Sequence, residues 1–115
     1  MNERVRWIAG AIALGLCGWH LYASAAELVY RSEQGKVVLQ STQGKWCAEM
    51  QGTELDATSA ALGLEGPWND AYQLEFGSNV KIAGCWHAAM HEGRDLILIR
   101  FASNDRVAYP RKLFQ

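Results

Sequence analysis

His87 and His91 stand four residues apart, with Glu92 directly after the second. Imidazole and carboxylate groups at that spacing hold zinc when a helix turns them to one face. The residues around them read instead as a strand running into a turn, where side chains four apart need not converge on one ion. A serine hydrolase would need one of these two as its base, because the remaining histidine, His20, lies in a leader-like segment. Ser41, Ser59, Ser78 and Ser103 occupy turn, cap or strand-end contexts, and none sits in a nucleophile elbow. Glu65 and Asp70 are a carboxylate pair of the kind glycoside chemistry uses, but they flank Pro67-Trp68 in what reads as a solvated loop. A small periplasmic hydrolase or metal-binding protein using His87 and His91 is therefore the second reading. The first expects no enzyme and no cofactor.

The charge map says more. Between Lys45 and Lys81 there is no basic residue, while Glu49, Glu54, Asp56, Glu65, Asp70 and Glu75 all fall in that interval. Such a stretch can dock a cationic protein, with charge speeding encounter and aromatic side chains supplying anchoring area. Glu65, Trp68, Asp70 and Tyr72 are the candidate partner-binding residues. The blander reading of the same stretch is a solvated helix and loop with Trp68 in the core. In the last part of the chain, Arg94, Arg100, Arg106, Arg111 and Lys112 outnumber Glu92, Asp95 and Asp105, as on an ordinary charged sheet face. Arg111-Lys112 could alternatively neutralise the acidic loop or touch anionic envelope material.

Compartment is read from the first residues. Arg4 and Arg6 precede an uncharged run from Trp7 to Ala26 that closes on Ala23-Ser24-Ala25-Ala26, the pattern of a cleavable export signal spanning residues 1–25. Two rivals stand beside it: an uncleaved anchor, since the run has the length of a membrane span, and a lipoprotein signal at Cys17, against which the bulky Leu16 argues. With the leader removed, residues 26–115 hold 9 basic and 11 acidic residues, a net of −2, which gives no electrostatic case for nucleic acid.

Ninety residues make one domain, too small for its core alone to stabilise it well. Cys47 and Cys85 are then the even pair of an oxidising compartment and are expected to form one disulfide. Closing a loop of that length is worth roughly 3–4 kcal/mol in the chain-entropy model. Zinc would need further ligands, and a redox pair would stand closer together in sequence.

The elements that must position these residues read as a β-rich α+β domain. Residues 27–32 and 36–41 alternate around Glu33-Gln34-Gly35 as a hairpin, with Gly35 available for a positive φ. Trp46-Cys47 reads as the end of a third short extended piece. One short helix fits between Gly52 and Trp68, with Thr53 or Asp56 as its cap, Ala57, Ala60, Ala61 and Leu64 at helical spacing, and Gly66-Pro67 as its stop. An antiparallel meander of four strands follows over residues 71–109, with turns at Gly77-Ser78-Asn79, Glu92-Gly93 and Ser103-Asn104-Asp105. Leu96-Ile97-Leu98-Ile99 is apolar at every position, as in a strand covered on both faces.

Gly84-Cys85-Trp86, Glu92-Gly93, the apolar strand from Leu96 to Phe101, and Asp105-Arg106 followed by Pro110 and Phe114 together resemble a pattern in uncharacterised small exported proteins of Gram-negative bacteria and their phages. That resemblance implies export and a second cysteine upstream, which Cys47 matches, and brings no established activity with it. The expected function is an exported, non-enzymatic binding or inhibitory module of the periplasm or envelope. A purely structural envelope component that self-associates through a strand edge stands as a third class.

Overall fold

The computed structural model describes residues 27–115; the proposed signal peptide lies outside them. Six strands follow one another in space as they do in sequence, each antiparallel to the next: β1 (Leu28–Arg31), β2 (Gly35–Leu39), β3 (Asn69–Glu75), β4 (Lys81–His91), β5 (Arg94–Phe101) and β6 (Arg106–Pro110). The N-terminal hairpin and the four-stranded meander thus join into one curled sheet. Helical residues between β2 and β3 form α1 (Lys45–Met50), a wide π turn (Gln51–Leu55) and α2 (Asp56–Leu62) without a break.

Period-two alternation sorts the strand residues into two cores. On one face Val37, Leu39, Ala71, Ile97, Ile99, Phe101 and Phe114 are buried together, with Tyr30, Trp86, Val107 and Tyr109 packed around them. On the other face Cys47, Leu55, Trp68 and Cys85 form a second cluster, joined by Trp46, Met50, Leu64 and Leu98. Ile97 and Ile99 point into the first cluster while Leu98 packs on the second, so β5 is covered on both sides, as its unbroken apolar run implies.

The helix is longer, and starts earlier, than its sequence suggests. Trp46-Cys47 is helical rather than extended, and neither Thr53 nor Asp56 is a cap. The cause is tertiary. Cys47, Gln51, Leu55 and Ser59 recur every four residues, and each meets the sheet-side cluster: Cys47 by its bond to Cys85, Leu55 by packing, and the other two by hydrogen bonds to Trp68. A strict repeat of four outruns the 3.6-residue α period, and one wide turn restores the register. The Thr53 hydroxyl, bonding back to the carbonyls of Glu49 and Met50 at 3.3 Å each, sits in that turn. The helix ends at Gly63, whose φ of 69° is the left-handed C-terminal conformation, three residues before the expected stop.

Gly35 also departs from expectation. It lies within β2 and lacks the positive φ; what it provides is room, since a Cβ there would come within 2.2 Å of the Leu74 carbonyl oxygen. The turns of the meander fall where the sequence puts them. Glu92 and Gly93, both at positive φ, form the two-residue turn between the paired His91 and Arg94.

The sheet curls until its two ends approach. Gln115 exchanges two backbone hydrogen bonds with Val29, at 2.9 and 3.0 Å, so the segment after β6 clasps β1. Inside that seam Tyr30, Tyr109 and Phe114 meet edge to face, with ring centroids 5.5 to 5.9 Å apart.

The helix register leads to a specific expectation. The indole Nε1–H of buried Trp68 donates to the Ser59 hydroxyl at 2.7 Å. Ser59→Ala leaves that donor without its acceptor, and urea unfolding should register a loss of about 1–3 kcal/mol, larger than an alanine at a half-exposed helix position would otherwise cost.

Candidate functional site

Of the four expected partner-binding residues, the structure gives two of them interior duties. Trp68 is 2% exposed. Its indole lies under the helix, its amide N–H donates to the Gln51 side chain at 2.9 Å and its carbonyl accepts from Gln43 at 2.9 Å. It is a peg on which the helix is hung, and it offers a partner no surface. The core reading of this residue is the one the fold adopts.

Asp70 is likewise structural. Its two carboxylate oxygens each accept the Gly44 backbone N–H at 2.9 Å, and one also accepts the Thr42 hydroxyl at 2.8 Å. Gly44 directly precedes α1, whose first turn has no side-chain cap; the carboxylate from β3 instead pins the residue that leads into the helix and sets a negative charge by its N-terminus. The backbone repeats the tie, with Asp70 N–H donating to the Thr42 carbonyl at 2.7 Å. No local sequence rule places the acceptor 26 residues downstream of the amide it serves.

Tyr72 is half-buried on the same face of β3, with the Lys81 ammonium 4.3 Å above its ring centre. Glu65 is exposed in the loop after the helix. The four residues therefore do not form one surface: Glu65 faces solvent, Tyr72 holds a cation of its own strand pair, and Trp68 and Asp70 hold the helix.

The acidic interval survives in a different form. Glu54 is spent within the fold, its carboxylate lying 2.9 Å from both Arg100 and Arg106. Arg100 is only 13% exposed at its side chain and also donates to Asn104 at 2.8 Å, so this pair of arginines ties the middle of the helix to β5 and β6. Glu49, Asp56 and Glu65 are exposed, and none has an ion-pair partner among the described residues. These three stand on the helix and the loop after it, while Glu75, also exposed, lies at the far end of β3 and accepts the Ser78 hydroxyl.

His87 and His91 do not share a site. Residues four apart on a strand are separated by roughly 13 Å, and here their surroundings differ as well. His87 is 8% exposed, lies edge to face with Trp68 at 5.3 Å, and its Nδ1 is 2.6 Å from the Ala88 carbonyl, to which it donates. Its Nε2 is buried near Gly66 with no hydrogen-bond partner. His91 side-chain exposure is 68%, and its nearest charge is Glu92 at 3.6 Å. Among the described residues no three His, Cys, Asp or Glu side chains gather where a metal ion could be held. Ser59, linked to His87 only through Trp68, has its hydroxyl engaged by the indole.

One titration is displaced. Burial first, and the neighbouring Tyr30 phenol second, push the Tyr109 phenol above its ordinary value.

No known protein family matches the chain, and no curated protein or solved structure does so either. Function has to be argued from the surfaces themselves.

Anchoring and recognition separate by experiment. Asp70→Ala removes the acceptor of the Gly44 amide, just before the helix, and should lower stability by about 1–2 kcal/mol in thermal or urea melts. Glu65→Gln, on an exposed side chain, should leave the same melts unchanged.

Proposed function

We propose that the chain is exported and works in the periplasm or at the cell envelope as a non-enzymatic binding or inhibitory module, docking a cationic protein on the acidic outer side of its helix. A Cys47–Cys85 bond crosses the centre of the second core, and such bonds persist in oxidising compartments. Among the described residues no helix is long and apolar enough to cross a membrane.

The observation that carries the reading is the set of three unpaired, exposed carboxylates, Glu49, Asp56 and Glu65, on a helix and loop held rigid by a disulfide, a buried tryptophan and two arginines. A surface fixed in this way binds without first having to be ordered, and that lowers the cost of association. Charge of one sign raises the rate of encounter with a basic partner and screens out with salt. The competing hydrolase or metal reading has no comparable constellation to stand on, since His87 is packed against Trp68 and His91 stands in solvent.

The test is affinity capture from periplasmic extract by the oxidised protein and by a Glu49→Gln, Asp56→Asn, Glu65→Gln variant, at low and moderate salt. The acidic protein should retain a basic partner that fades as salt rises and that the neutralised variant fails to hold. Equal retention by both proteins at both salt concentrations would remove the acidic face from the function.

A further inference from the structure

Across the sheet from the helix, the seam between β1 and β6 is incompletely closed. Val29 turns its backbone N–H and C=O away from β2 and spends them on Gln115. By the two-residue alternation of an antiparallel ladder, Arg31 turns its own N–H and C=O the same way, and no described residue pairs with them. On the facing strand, Phe101 N–H donates to the Asp105 carbonyl at 2.8 Å. The same alternation then directs Val107 and Tyr109 toward β5 and leaves the backbone groups of Arg106 and Ala108 on the open side. Two strand edges thus present unused donors and acceptors at one gap, where ordinary folds cover or pair them.

Two cavities meet at this gap. One, of about 530 Å³, is lined by Tyr30, Tyr109, Lys36 and Gln73 among others, and the second, of about 580 Å³, by Val29, Arg31, Lys112 and Gln115. Tyr30 lines both. The two linings carry three cations, Arg31, Lys36 and Lys112, and one carboxylate, Glu75. Arg31 stands directly opposite Lys36 in the β1–β2 register, an arrangement in which like charges repel, and Lys112 joins them on the second cavity. None of the three has an ion-pair partner among the described residues. Glu75, on the first cavity, accepts the Ser78 hydroxyl at 2.6 Å, and Glu33 is exposed in the turn.

We infer that this seam is a second binding site, which takes an extended, acidic segment of a protein partner as an added strand on β1. Its backbone pairs with Arg31 and replaces Gln115 at Val29; its alternate side chains enter the two cavities past Tyr30; and its carboxylates relieve the repulsion among Arg31, Lys36 and Lys112. Backbone pairing supplies affinity and the cavities supply selection, as in other strand-addition complexes. The site shares no residue with the acidic helix face of Glu49, Asp56 and Glu65.

The probe is a fluorescein-labelled hexapeptide of alternating Glu and Val, followed by fluorescence anisotropy with the oxidised protein, beside its Lys-Val counterpart and a backbone N-methylated copy. Saturable binding of the acidic peptide alone is expected. Arg31→Glu and Lys112→Glu should each weaken it tenfold or more, and the Arg31 amide should become protected from hydrogen exchange when peptide is added. Neutralising Glu49, Asp56 and Glu65 should leave this binding unchanged, which keeps the outcome separate from that of the helix face. Absence of saturable binding, equal binding of the N-methylated copy, or indifference to both charge reversals would overturn the inference.

Discussion

The Cys47–Cys85 bond is the constraint on which the rest of the molecule depends. It joins the first turn of the helix to the middle of β4, at the point where both sulfurs are essentially excluded from solvent. Everything on the outer face of the sheet is then referred to it. With Cys47 fixed, Gln51, Leu55 and Ser59 fall over Trp68 only if one helical turn widens, and the π turn at Gln51–Leu55 is the result. Burying an indole removes about 200 Å² from water, worth up to about 5 kcal/mol at 25 cal/mol per Å². The covalent tie and the tryptophan are therefore of similar weight, and the helix needs both because a segment of this length is marginal in water by itself.

Most of the sheet was legible in the sequence because its signals are local. Alternation within strands, glycine and asparagine at the turns, and the doubly covered run at Leu96 to Ile99 each report on their immediate surroundings, and the structure places hairpin and meander accordingly. The helix was legible only in its second half. Lys45 to Met50 carries an aromatic and a cysteine, residues equally at home in a strand, and it has no side-chain cap, so nothing nearby announces its start. Its register was hidden for the same reason, since a four-residue repeat is imposed by Trp68 and Cys85, both distant in sequence.

The candidate site was legible in charge and not in geometry. Composition alone shows an acidic interval, but it cannot tell which carboxylates are spent inside the fold. Asp70 holds the Gly44 amide and Glu54 bridges Arg100 and Arg106, and both duties depend on pairings made after the chain has folded. Trp68 carried the same ambiguity, because an aromatic in an acidic loop is equally an anchor or a peg. The sheet's seam had no sequence signal at all: Tyr30, Tyr109 and Phe114 meet only because six strands curl far enough to bring the two ends together. The folded domain consequently carries exposed carboxylates on its helix and the cations Arg31, Lys36 and Lys112 near the ends of its sheet, a distribution that the chain's net charge of −1 conceals.

Whether this architecture exists in the living cell is decided by the state of two sulfurs. Protein purified from its native host without reductant, unfolded in guanidinium and titrated with a thiol reagent, should show Cys47 and Cys85 unreactive until a reductant is added. Free thiols at both positions would contradict the account, because the helix would then lose the tie that sets its register on the sheet.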